Sequence, residues 1–214
     1  MPKLNYPPRP HQKIIHIQRT TNHSFHKAPP EKARRNFIPL ITIIILLSFG
    51  VWGIRKYLSY RGQKIAQENY TQGVKDLTDG NFNAASKSLE KSIQSGNDTN
   101  DTLLKLGVSK YNQKDYVGAI EAYSKVLEKD PLNATASNGL GNVYRDQKDF
   151  DKAQEQYEKA IQLDPHFAPA YANLSIMLLD LNREKEAKEV VQRGLTQIPD
   201  SIELKNIGTL FSSE

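Results

Sequence analysis

The 214-residue chain contains no cysteine, which excludes disulfides, thiol catalysis and every zinc site built on thiolates. Histidine is nearly absent outside the N-terminal stretch: His11, His16, His23 and His26 lie early, and His166 is the only one in the rest. One histidine supplies neither a Ser/His pair nor a two-histidine metal site, so triad hydrolysis and zinc hydrolysis are excluded for the C-terminal part. His23 and His26 read as solvated tail residues, and no metal or cofactor is expected. Acids are scarce in one region only. Residues 1 to 56 hold ten Lys/Arg against the single Glu31, a net +9 that leaves −4 for the remainder of a chain totalling +5. The remainder therefore lacks the basic face that nucleic-acid binding requires.

What is present divides into three zones. Residues 1–35 carry six prolines and eight of those basic residues, with one short apolar run at Ile14, Ile15 and Ile17. Such a stretch cannot bury enough apolar surface to offset its ordering entropy, and a disordered basic tail is expected. From Phe37 to Ile54 the sequence FIPLITIIILLSFGVWGI has no charge and is bounded by Arg34 and Arg35 before and Arg55 and Lys56 after. As a helix it would be roughly 27 Å long, close to the hydrocarbon thickness of a bilayer. It is apolar all round, with Trp52 and Tyr57 at one end, so a transmembrane helix over 36–56 is expected rather than a core helix. Ser48 and Gly50 offer a small-x-small cleavage pattern, but the preceding region is too long for a signal peptide, and the anchor is expected to stay uncleaved. The fifteen residues on either side carry equal positive charge. Only the whole tail tips the count, toward a cytoplasmic N-terminus and an extracytoplasmic C-terminal domain, periplasmic if the source is bacterial. Residues 57–65 read as a juxtamembrane linker.

The third zone repeats itself every 34 residues. Gly73, Gly107, Gly141 and Ser175 follow this step, as do Ala85, Ala119, Ala153 and Ala187, and the larger Leu89, Tyr123, Tyr157 and Val191. Phe82, Tyr116 and Phe150 keep the same register, and Pro131, Pro165 and Pro199 close three of the units. This pattern resembles the tetratricopeptide repeat (TPR) family, W-x2-L-G-x2-Y, then A-x3-F, then P. The third unit matches best, with Leu140, Gly141, Tyr144, Ala153, Tyr157, Ala160 and Pro165. The first unit departs at Gln72, where Leu belongs, and the second at Lys110, where the aromatic belongs. The resemblance covers residues 66–201 as units 66–99, 100–133, 134–167 and 168–201. It implies an all-α, right-handed solenoid of four helix pairs, with 202–214 as a capping helix carrying Leu204, Ile207, Leu210 and Phe211. Elementary packing agrees: small residues on both helices of a pair let their axes approach, and no pair can bury its apolar face alone, so the units must stack.

No catalytic constellation accompanies the repeats. Gly139-Leu-Gly141 is half of a dinucleotide loop without its third glycine or a preceding strand. Acids such as Glu155, Glu158, Asp180, Glu184 and Glu186 are interspersed with Lys and Arg, as on solvated helix faces. A non-enzymatic adaptor is expected. By family resemblance, its first helices would line a groove for protein or peptide segments. Residues at i, i+4 and i+7 share one helix face, giving Tyr70, Val74 and Leu77; Leu104, Val108 and Tyr111; Asn138, Asn142 and Arg145; and Ala172, Ile176 and Leu179. Three apolar sets and one polar set suit an apolar or amphipathic partner, or else these side chains pack between neighbouring helices. Homo-oligomerisation is a further option, and the setting expected is assembly or regulation of a bacterial envelope complex. Two alternatives stand beside this: the basic tail as the active element, binding anionic lipid or nucleic acid with the repeats as accessory, and a clamp for acidic C-terminal peptides, as in chaperone-binding TPR proteins.

Overall fold

The computed structural model describes the backbone of residues 31–211 and the side chains of residues 42–211. The histidine-bearing tail up to residue 30 lies outside the described residues. Among the described residues there are nine helices and no strand: α1 Glu31–Thr78, α2 Phe82–Gln94, α3 Asn100–Asn112, α4 Tyr116–Lys129, α5 Ala134–Asp146, α6 Phe150–Leu163, α7 Ala168–Asp180, α8 Glu184–Gln197 and α9 Ile202–Thr209. The chain forms two compact units, Met1–Trp52 and Gly53–Glu214.

In the first unit the described residues belong to α1. Ile43, Ile44, Ile45, Leu46, Leu47 and Phe49 are all exposed, and α1 is the one described helix long and apolar enough to cross a membrane. Two boundaries differ from the sequence reading. Helix begins at Glu31, inside the expected tail, and residues 57–65 are helical rather than a linker. Nothing in Tyr57–Ile65 except Gly62 disfavours helix, and Gln, Lys, Leu and Arg there are good helix formers.

The second unit stacks α2 to α8 in sequence order, each helix packing on the next. Its first helices are the C-terminal part of α1, then α3, α5 and α7; its second helices are α2, α4, α6 and α8. Each pair is joined by a tight turn with one residue at positive φ, Gly80 (76°), Lys114 (61°), Lys148 (64°) and Asn182 (58°), again 34 apart. The residue after it donates its N–H five residues back, as in Asp115 to Lys110 (3.0 Å), Asp149 to Tyr144 (2.9 Å) and Arg183 to Leu178 (2.8 Å). This closing pattern satisfies carbonyls that the helix end would otherwise orphan. The second helix then starts on a cap: Asp115 Oδ1 accepts from Gly118 N at 3.0 Å, and Asp149 Oδ1 from Lys152 N at 3.4 Å.

Small residues meet large ones within each pair, as the 34-step pattern predicts. A Cβ placed on Gly107 would lie 2.5 Å from the Tyr123 ring, on Gly141 2.5 Å from the Tyr157 ring, and on Gly73 2.7 Å from Leu89. Tyr123 also leans on the next unit, where a Cβ on Gly139 would lie 2.6 Å from it. The fourth unit trades volume the other way: Ser175 replaces the glycine and the smaller Val191 replaces the ring, both buried. At the C-terminal end α9 packs on α7 and α8, burying Leu204 and Ile207. The capping helix expected here is shorter than 202–214: it ends at Thr209 and leaves Leu210 exposed, and its start is fixed by Ser201 Oγ accepting from Leu204 N at 3.3 Å.

Candidate partner-binding groove

The predicted groove residues lie on the first helices of the four pairs. Helices α3, α5 and α7 pack side by side, so the residues at one register position form a row from unit to unit. The most exposed apolar members of the row are Val108 at 38% and Ile176 at 39%. The other members are tied into packing to different degrees. Leu104 and Tyr111 lean on the core around Leu103 and Tyr123, Tyr70 on that around Leu89, and Leu179 on that around Tyr171. Val74, Leu77, Asn142 and Arg145 are half-buried, and Asn138 and Ala172 are buried.

A polar ladder crosses the same face between units. Tyr70 donates its hydroxyl to Asp101 Oδ2, and Asp101 also holds Lys105 Nζ at 2.5 Å. Tyr111 donates to Asp146 Oδ2 at 2.7 Å. Arg145 donates to the Tyr111 oxygen at 3.3 Å and to Asp146 Oδ1 at 3.0 Å. Asn173 Nδ2 donates to Asn138 Oδ1 at 3.0 Å; within the third unit, Tyr157 donates to Asn142 Oδ1 at 2.7 Å. Partial burial, reinforced by the Asp146 carboxylate, pushes the Tyr111 hydroxyl up to about 12. It therefore remains a neutral donor at physiological pH. Burial works against the charge of Asp101, but hydrogen bonds from Lys105 and Tyr70 win and hold its carboxyl below the ordinary value.

The ladder changes the chemistry of the face. Asp146 pairs with Arg145, a member of the polar set read from the sequence, which weakens its use as a clamp for an acidic C-terminus. Asp101, Lys105, Asp146 and Asn173 were not identified from the sequence. Lys105 meets Asp101 on its own helix, but the partners of Asp101, Asp146 and Asn173 in the neighbouring unit lie 31 to 35 residues away, a spacing set by the repeat period: a polar residue on one first helix can meet a polar residue one unit on. No cluster of metal-ligating side chains occurs among the described residues.

Models of the tetratricopeptide repeat match residues 70–134 and 104–166 in one form and 144–208 in another, together running through all four units. Several solved structures share the fold. MamA is 24% identical, with 68% of this chain and 84% of MamA covered at a TM-score of 0.57. TTC0263, a thermophilic TPR protein of Thermus thermophilus, is 17% identical, with 69% and 82% covered at 0.57. YrrB, described as a TPR protein with an unusual peptide-binding site, is 19% identical, with 80% and 88% covered at 0.55. No curated protein matches the chain in sequence. At these identities the solved structures speak to the fold alone, while the repeat models and the 34-residue packing agree in sequence and in space. The chain belongs to the tetratricopeptide repeat family.

Proposed function

We propose that the chain is a membrane-anchored scaffold that holds an amphipathic polypeptide segment along its first-helix face and so localises that partner at a bilayer. The observation that carries this reading is the row Val108, Asn142 and Ile176, with Arg145 on the same helix face as Asn142. Two half-exposed apolar side chains flank polar ones that are already positioned by Tyr157, Tyr111 and Asp146. The apolar pair would contact one side of the segment, and the fixed amide and guanidinium groups would orient its backbone or polar side chains. Family membership supports the protein-interaction role, and the description of YrrB as peptide-binding fits it. The uncovered apolar stretch of α1 supports the anchor. An extracytoplasmic position for the repeats, and work on an envelope complex, follow only from the charge of the tail and are part of the proposal.

The test is site-specific crosslinking in native membranes. A photoreactive phenylalanine analogue at Val108 or at Ile176 is expected to give the same discrete adduct, identified by mass spectrometry. The same probe at Leu132, which is 74% exposed away from the row, should not give it. Identical adducts from all three positions would end the groove reading. The absence of native cysteine makes the topology measurable in the same cells with Ser24→Cys and Asp200→Cys, the latter chosen because neighbouring Ser201 caps α9. A membrane-impermeant thiol reagent is expected to label position 200 and not 24; the reverse pattern would place the repeats in the cytoplasm.

A further inference from the structure

On a different face of α3, a cleft of about 480 Å³ opens between α2, α3 and α4. Its lining traces to departures from the repeat. Lys110 stands where the third unit has Tyr144 and the fourth has the buried Leu178, and Lys110 lines the cleft. Gly118 stands where those units have Lys152 and Glu186, and Ala122 where they have Gln156 and Val190. At each of the latter two positions the second unit carries the smallest side chain of the three. Beneath lie Leu103 and Leu106, both buried, and at the rim Val117 is 68% exposed where the later units carry Asp151 and Lys185.

The charges around this apolar floor favour one kind of occupant. Lys110 Nζ is held by Glu90 at 2.9 Å and Asp115 at 3.3 Å, and Asp98 is held by Lys129 at 2.6 Å. With Glu121 and Lys125, four carboxylates face three ammonium groups, a small negative excess. We propose that this cleft is a second docking site, separate from the groove, that accepts one bulky apolar side chain of a partner polypeptide with a Lys or Arg beside it. The partner's ring or branched chain would take the space that Tyr144 and Leu178 fill for their own units, and its cation would meet Glu121 and Glu90. Such a two-part contact uses apolar burial for affinity and the rim charge for selection.

The test uses the full chain in detergent micelles, with Val117→Cys as the only thiol. The probes are three peptides, Lys-Tyr-Lys, Lys-Ser-Lys and Glu-Tyr-Glu, each carrying the same mixed-disulfide cap, exchanged against 2-mercaptoethanol. Lys-Tyr-Lys is expected to label at least about tenfold more than Lys-Ser-Lys, a ratio that burying one ring readily supplies, and more than Glu-Tyr-Glu, whose carboxylates meet the negative excess of the rim. At Lys185→Cys, the equivalent rim position of the fourth unit, the three peptides should label alike. Adding Lys110→Tyr and Ala122→Gln, the side chains of the third unit, should abolish the preference for Tyr over Ser. Adding the exposed Glu121→Lys should instead lower only the preference for Lys-Tyr-Lys over Glu-Tyr-Glu. Equal labelling by all three peptides at position 117, or the same preference at position 185, overturns the proposal. Those two readings decide it even if the cleft-filling pair perturbs folding.

Discussion

A methyl group added at Gly141 should destabilise the protein, whereas one added at Gly208 should stabilise it, although both glycines sit in helices. At Gly141 the new Cβ would lie 2.5 Å from Tyr157 Cε1 and 2.6 Å from Cδ1. The ring is fully buried between helices, so it cannot move aside into solvent. Overpacking of this kind costs about 1–3 kcal/mol, while replacing a helical glycine by alanine returns about 1 kcal/mol in backbone propensity. The net expectation for Gly141→Ala is a loss of up to about 2 kcal/mol, or up to roughly 8 °C in Tm for a domain of this size. At Gly208 the Cβ would meet Val191 at 3.7 Å, an ordinary contact, so the propensity gain stands alone and Tm should rise by about 1–3 °C. Thermal unfolding followed by far-UV circular dichroism, on a fragment starting at Gly53 where the second compact unit begins, reads both signs. A gain in Gly141→Ala as large as that in Gly208→Ala would refute the close-approach reasoning. A double variant with Tyr157→Val, imitating the small-to-medium exchange of Ser175 and Val191, should be more stable than the two single losses added together, because the contact that creates the clash is gone.

Two further outcomes concern the turns. Lys148 holds φ at 64°, a conformation that costs an L-residue about 1–2 kcal/mol and glycine almost nothing, so Lys148→Gly should leave stability unchanged or raise it by up to about 1 kcal/mol; a clear loss in chemical denaturation would contradict the turn geometry. Asp115 caps α4, and the Gly118 N–H, aided by Lys110 and opposed by burial, holds its carboxyl below the ordinary value. A carboxyl whose folded pKa is depressed stabilises above its unfolded value near about 3.9 and loses that contribution as pH falls through the folded value. Asp115→Asn, which keeps the capping oxygen, should therefore flatten the acid limb of stability against pH, while Asp115→Ala should cost about 0.5–2 kcal/mol at neutral pH. An unchanged acid limb in the Asn variant would remove Asp115 from the titrating set.

Sequence alone determined the repeat, its period and the residues that let helices approach, because glycine and alanine opposite a large side chain leave a periodic trace whatever the neighbours are. Gly107, Gly141, Ala119, Ala153, Tyr123 and Tyr157 could be assigned this way, and so could the cap at Leu204 and Ile207. The turn conformation was partly hidden: Gly80 and Asn182 advertise a positive φ, but Lys114 and Lys148 occupy the same position with a side chain that carries no such signal. The apolar run of α1 was equally legible, though how far the helix continues past it was not, since Gly62 is the one strong helix-disfavouring residue between 54 and 66 and it does not end α1. What only the tertiary structure decided was which face of each first helix remains available. Leu104, Val108 and Tyr111 form one stripe in the sequence, yet Val108 stays half-exposed while Leu104 and Tyr111 lean on the core, because the neighbouring helix pair covers one flank of α3 more than the other. The ladder from Tyr111 to Asp146 and from Asn138 to Asn173 exists only once adjacent units fix their spacing, and the cleft at Lys110 exists only where three helices meet around side chains too small to fill it. Helical periodicity is a property of one segment and can be counted along the chain; burial of a particular face depends on the rotation of one helix against the next, which no single segment encodes.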